Sequence, residues 1–512
     1  MKNKLKKTGI LFLLCLPIFV FGQKHDYVWI FGYNSNATAS FPGVEGVILS
    51  FNEIPLSVEY VQTFTNITVS NATIADPFGN LLFYTNGCQI ANRFHQLMEN
   101  GDSLNFGTVF NERCNENAFG YPAGPQSCLI LPLPGNNDNY CVFHNKIEYV
   151  YEPEFDVITL SLLFTRVNVL ISGVIEKNIP VIQDTLSAGQ LTAVKQNNGI
   201  DWWVMVPQYL SNKYYYFELT ENGIENLSEQ QIGNSTVKQG EGGGQAVFSP
   251  DGTKYIRYTP ADGLFIFDFD RTTGLLSNFR FIDIGDGAFT GGVAVSPNSR
   301  YLYVCSEDFV YQFDLQAADI EASRITVAEY DGYQSPFPTK FFNAQLAPDC
   351  KIYINSFATV DVLHVIHYPD EPGLACNFEQ HAVQLPFNHG RSLPSFPNYR
   401  LGPLVEGEDP PPPCEAVVST KEEEAPTRQN AYVFPNPAPG YFKVVFEEAL
   451  RRPGRVVLYN GLGQAVLEEA LGAGSREFRL EVGDVSPGLY FYSVLLEGAL
   501  VKGGKLVIAG RW

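Results

Sequence analysis

Positive charge is scarce in this sequence. Its 512 residues include 34 Lys and Arg against 55 Asp and Glu, a formal charge of −21. The basic residues cluster only at the start, in Met1-Lys2-Asn3-Lys4-Leu5-Lys6-Lys7. A phosphate-binding surface needs clustered Lys and Arg, so nucleic acid is not an expected partner, and the acidic excess serves solubility. Long apolar runs are scarce too. After the stretch from Gly9 to Phe21, nothing approaches the roughly 18 apolar residues of a spanning helix. No two cysteines form a CxxC pair and none has a nearby His at zinc spacing, so no structural zinc site is expected. HExxH and Gly-x-Ser-x-Gly are missing as well. No cofactor is expected.

The N-terminus has the layout of a signal peptide over residues 1–22: a basic start, a short apolar stretch, and small residues at Val20 and Gly22. The mature chain is expected to begin at Gln23. Cys15 lies inside the apolar stretch, but Leu14 precedes it where a lipobox needs a small residue. Eight cysteines then remain, an even number that fits disulfides in an exported protein. Tyr, Phe, Gly and Pro are abundant and helical periodicity is hard to find. Aromatics favour strands, while Gly and Pro mark turns. An all-β fold follows.

One boundary is plain. Pro410-Pro411-Pro412-Pro413, followed by Lys421-Glu422-Glu423-Glu424, is stiff, charged and unable to build a core. Residues 405–425 are expected to be a linker between a large body, 23–404, and a small tail, 426–512. The body repeats. Ala246-Val247-Phe248-Ser249-Pro250-Asp251-Gly252, Ala294-Val295-Ser296-Pro297-Asn298-Ser299 and Ala344-Gln345-Leu346-Ala347-Pro348-Asp349-Cys350 each read as a strand and a tight turn, with an aromatic strand following. Third and fourth strands follow at matching distances, and weaker copies lie upstream. Four-strand units recurring about every 50 residues are the signature of a β-propeller, here of about seven blades. The first unit lacks an innermost strand, and residues 393–399 are expected to supply it and close the ring.

Four segments of the body resemble a group of exported Bacteroidetes propeller proteins. They are Ile74-Ala75-Asp76-Pro77-Phe78-Gly79-Asn80-Leu81-Leu82-Phe83-Tyr84-Thr85-Asn86-Gly87, Gln126-Ser127-Cys128-Leu129-Ile130-Leu131-Pro132, Leu191-Thr192-Ala193-Val194-Lys195 and Gly373-Leu374-Ala375-Cys376-Asn377-Phe378. The resemblance implies seven blades and surface export. The tail carries Val433-Phe434-Pro435-Asn436-Pro437, Val456-Val457-Leu458-Tyr459-Asn460-Gly461 and Ser486-Pro487-Gly488-Leu489-Tyr490 in order. It resembles a type IX (Por) secretion C-terminal sorting domain. That implies a translocon partner, recognition through Pro435, Asn436, Pro437, Gly488, Leu489 and Tyr490, and a secreted or surface destination. Its short alternating strands with Gly turns predict a small immunoglobulin-like β-sandwich.

Candidate sites remain. Cys350 and Cys376 are expected to bond, because the two turns that hold them lie on one side of a four-strand meander. Cys88 with Cys114, and Cys128 with Cys141 straddling a hairpin, are further candidate pairs, leaving Cys305 and Cys414 unassigned. Asp268-Phe269-Asp270-Arg271-Thr272-Thr273-Gly274 has oxygen donors at alternate positions, as calcium loops do, although turn capping explains it as well. Trp202 and Trp203 face opposite sides of a strand, so at least one belongs to a core. Gln126, Gln245, Asn343 and Arg391 are expected at the rim of the central channel. The functional expectation is a non-catalytic binding or scaffolding module for a surface glycan or protein. The alternative is a propeller enzyme, a lactonase or a polysaccharide lyase or hydrolase, which a ring of acids or His around a metal in the channel would favour. Fold alone does not decide between them.

Overall fold

The computed structural model describes residues 23–34, 43–115, 120–151, 156–236, 243–408, 410–414, 431–446, 449–450, 452–460, 465–496 and 499–509. Residues 1–22, expected as a signal peptide, and most of residues 405–425, expected as a linker, fall outside these residues. The chain divides into two compact units, residues 1–417 and 418–512.

Seven antiparallel sheets follow one another through the first unit. The first holds Val28–Gly32, Gly46–Ser50 and Ser57–Val61, and the second Ala72–Ala75, Leu81–Thr85 and Ile90–Asn92. The other five have four strands each and open on Cys128–Pro132, Thr192–Lys195, Gln245–Phe248, Gly291–Val295 and Phe341–Leu346. The repeated turns explain the regularity. Residues Gly252, Ser299 and Cys350 all take the left-handed conformation at the same turn position, with φ of 72°, 59° and 63°. Asp251 and Asn298 each fix their turn by accepting from the backbone two residues on.

Apolar faces of neighbouring sheets share cores all the way round. Ile256, Ile266, Val293 and Val304 join the fifth sheet to the sixth, and Tyr303, Phe341 and Ile354 join the sixth to the seventh. Trp29, Val47, Tyr353 and Leu363 join the seventh back to the first. The first unit is thus a β-propeller. Trp202 and Trp203 serve different inter-sheet cores, and both are buried.

Residues 393–399 do not form the expected strand. Leu393 and Phe396 do pack beside the first sheet, with the Phe396 ring 5.9 Å from that of Trp29. Pro394 and Pro397, however, remove two backbone donors from a short stretch, and a strand inside a ladder does not tolerate that.

Two disulfides are present, Cys88–Cys114 and Cys350–Cys414, with Cα separations of 5.7 and 5.2 Å. The expected Cys350–Cys376 bond is therefore corrected. Cys376 ends a short 3-10 turn, Gly373–Cys376, and is buried among Tyr303, Val310 and Phe341 of the neighbouring core. Cys128 and Cys141 are free and buried. Cys128 lies opposite His144 and Cys141 opposite Leu131. That offset of three rungs is roughly 10 Å along the strand, too far for a bridge.

The second unit holds two sheets. Ala431–Phe434, Tyr441–Phe446 and Glu477–Glu481 form one; Ala465–Leu471, Gly454–Tyr459, Gly488–Leu496 and Ala499–Ile508 form the other. Phe442, Val444, Leu458, Val494 and Leu506 fill the core between them.

Candidate functional site: the axis and the loop face

The propeller has two ends. The turns joining first and second strands, such as 250–252 and 348–350, make one, here called the turn face. The loops that lead into the inner strands, such as 285–290 and 331–340, make the other, the loop face.

Between them the axis is filled by the protein's own chain. Residues 390–404 enter at the loop face, where the Arg391 amide donates to Thr68 and the Ser392 hydroxyl to Ile67. They leave at the turn face, where Asn398 donates to the Pro250 carbonyl and the Leu404 amide to Asn197. On the way the Tyr399 hydroxyl donates to the Ile130 carbonyl at 2.8 Å. Space at the axis is small, about 70 Å³, beside Gln126, Ser249, Gln345, Phe396 and Arg400. A ligand pocket is usually roughly 300–1,000 Å³.

Glutamine amides hold this packing together, each acting as a spare peptide group. The Gln126 side chain accepts from the Ala246 amide at 2.7 Å and donates to the Ala246 carbonyl at 2.7 Å and to Ser395 at 3.0 Å. Gln245 accepts from the Val293 and Ala344 amides and donates to the Ala344 carbonyl. Gln345 accepts from the Phe396 amide at 3.1 Å. Gln126 and Gln245 are thus buried within the axis with their amides engaged. Asn343 is also buried, with no partner for either amide atom among the described residues. Its close neighbour Gly292 has no room for a side chain, since a Cβ there would sit 2.7 Å from the Asn343 Cα.

Of the four residues expected at the rim, only Arg391 is exposed. Its guanidinium lies 4.7 Å above the Phe357 ring and has no ion pair among the described residues. Phe357, Tyr333, Phe337 and Phe289 present further exposed rings on loops of this face, the last 74% exposed. Sequence reasoning missed them because an aromatic in a loop looks like one more strand residue. For Tyr333, Phe337 and Phe289 the signal was a position near Gly or Pro, outside any alternating run; Phe357 carried no such signal.

The turn face concentrates titratable groups, and each is tied to structure. Lys195 is buried, and burial lowers it to about 7. Its ammonium donates to the Ile200 carbonyl and lies 4.0 Å above Trp202. His25 is lowered to about 4, chiefly by burial. Arg271, in the turn expected as a calcium-loop candidate, donates to the carbonyls of Lys195, Gln196 and Gly402. Asp270 in that turn accepts from Thr272 and Thr273, and Asp268 from Lys254 and Asn278. Among the described residues, no three His, Cys, Asp or Glu side chains come together as a metal site.

In the second unit, Asn436 donates to the Lys505 carbonyl and accepts from the Val507 amide, so it clamps the last strand. Tyr490 donates to the Ser486 carbonyl, and Leu489 is exposed. Among the described residues, no helix is long and apolar enough to cross a membrane.

No curated protein matches the chain in sequence. Solved structures that it resembles include a protein from Lactobacillus plantarum, 13% identical over 72% of this chain and 99% of that one, with a TM-score of 0.40. They also include the Cps50 (Swd1) β-propeller domain of Myceliophteria thermophila, 9% identical over 65% and 93%, with a TM-score of 0.36. A gluconolactonase from Xanthomonas campestris is 10% identical over 65% and 94%, with a TM-score of 0.30. Residues 432–509 match the secretion system C-terminal sorting domain family, so the chain carries a Por-type tail for type IX secretion and is exported to the cell surface or extracellular space.

Proposed function

We propose that the first unit is a seven-bladed, non-catalytic binding module that meets its ligand at the loop face. The axis carries the reading. It is occupied by residues 390–404 and lined by engaged glutamines, where an enzyme of this shape would gather acids or His. The loop face instead offers exposed aromatic rings, one of them, Phe357, beneath the Arg391 guanidinium, which has no ion pair among the described residues. Aromatic faces stack on sugars and on other planar or apolar groups. A guanidinium pre-placed over a ring pairs with carboxylates in two-pronged fashion. An acidic glycan or an acidic protein segment fits both features.

On this reading residues 1–22 are the signal peptide, 23–404 the propeller, 405–425 the linker and 426–512 the sorting domain. Pro435, Asn436, Pro437, Gly488, Leu489 and Tyr490 contribute to recognition by the translocon. The direct test is retention of the secreted protein on an array of neutral and acidic glycans, with wild type beside R391A/F357A. Binding to acidic members that falls at least about tenfold in the variant supports the proposal, as loss of a charge-assisted contact predicts. Unchanged binding in the variant, or turnover of a lactone or polysaccharide by the wild type, would contradict it.

A further inference from the structure

The chain that fills the axis is fastened at its far end by three separate ties. Arg271 donates to the Gly402 carbonyl at 2.6 Å. Arg400 grips Asp26, just before the first strand, and donates to the Pro413 carbonyl. Cys414 is bonded to Cys350 in the first turn of the seventh sheet. The near end is fixed as well, because residues 390–392 continue directly from the strand Phe378–His389. The segment is therefore threaded. It enters at the loop face and is covalently held at the turn face, and with the disulfide intact it cannot slide back out of the axis.

This matters for ring closure because, among the described residues, the seventh sheet and the first share no strand and are linked by a single parallel bridge, Val44 with Asn388. Leu393 and Phe396 lie between the two sheets, in one core with Trp29, Phe31, Tyr353 and Leu363. Holding 390–404 in place therefore reinforces a seam that otherwise rests on that one bridge and on ring contacts such as Trp29 with Tyr353. We propose that Cys350–Cys414 is a redox-controlled clasp: formation of the bond locks residues 390–404 in the axis and seals the seam, and reduction releases them. Closing the clasp takes two electrons and two protons from the two thiols. By thiol–disulfide exchange they pass to a disulfide oxidant, which leaves as a dithiol; opening is the reverse exchange, in which a dithiol reductant supplies the two electrons and two protons and leaves as a disulfide. A bond closing a loop of 64 residues falls in the range where cross-links restrict the open chain strongly.

Trypsin reports the state of the clasp, since the Arg400 side chain is held in its ion pair and mostly covered while Arg93 is exposed. In the oxidised full-length protein, cleavage after Arg400 is expected to be slow and cleavage after Arg93 fast. In C350S/C414S, cleavage after Arg400 is expected to accelerate about 30-fold or more, with that after Arg93 unchanged. An unchanged rate after Arg400, or equal rates at both sites in the oxidised wild type, overturns the proposal. Should C350S/C414S fail to fold, C88S/C114S keeps the clasp as its one disulfide. It is folded oxidised and then reduced under native conditions; acceleration on reduction supports the clasp, and no change overturns it.

Discussion

Arg400 and Asp26 lie 374 positions apart and meet as a two-pronged ion pair, Nη1 to Oδ1 at 2.7 Å and Nη2 to Oδ2 at 2.6 Å. Their side chains are only 10% and 5% exposed. The pair joins the first residues of the propeller to the segment that has just crossed its axis. A buried pair of this kind adds little over an apolar substitute, but removing one partner strands the other. R400M and D26N are each expected to destabilise the first unit by about 3–5 kcal/mol, and D26N/R400M by less than the sum. Urea unfolding of the three variants, read through the midpoint, checks this.

Gln126 should behave as a structural residue. Q126A leaves the buried Ala246 amide and carbonyl without their side-chain partner, an expected loss of about 1–3 kcal/mol. Ligand retention at the loop face should not change. Denaturant midpoints and glycan-array binding on the same preparation separate the two effects.

Stability should fall on mild acidification. Burial lowers His25 and His389 to about 4 and His144 and His364 to about 3. His144 is neutral in its site, where Nδ1–H donates to Asn105 and Nε2 accepts from Thr165. Unfolded histidines protonate near pH 6.5, so between that pH and the folded values the unfolded chain binds more protons. The stabilisation is complete above about pH 6.5 and is lost as pH falls toward 4. The slope in that window should approach about 1.4 kcal/mol per pH unit for each such histidine. Urea curves at pH 7.5, 6 and 5 measure it, and H144Q should flatten it.

Thiol chemistry should divide the eight cysteines after residue 22 into two equal groups. Cys128, Cys141, Cys305 and Cys376 are free and buried. Burial pushes Cys128 and Cys141 up to about 12. Native protein should resist alkylation, denaturation without reductant should expose four reactive thiols, and reduction should expose the bonded four as well. Mass spectrometry counts the adducts.

The repeating sheets were legible because each turn states itself locally, as Pro250-Asp251-Gly252 and its two partners do. The fill of the axis was not. Leu393, Phe396 and Tyr399 give the stretch the apolar and aromatic content of a strand, and only Pro394 and Pro397 argue that it cannot pair. The partner of Cys350 was hidden for a related reason. Cys414 follows the polyproline run, and nothing in that run encodes which turn it returns to. Gln126 and Gln245 could be placed near the axis from their position at the head of inner strands. That their amides would be consumed by Ala246 and Ala344 depends on neighbours about 100 or more positions away, beyond the reach of local pattern.

Hydrogen exchange across residues 390–404 in the oxidised protein tests the central claim most directly, because the proposed function at the loop face rests on an axis that is already full. These residues form no strand, yet the account predicts protection comparable to that of the inner strands Gln245–Phe248 and Phe341–Leu346. Exchange at the rate of an open loop would show an unoccupied axis and would contradict it.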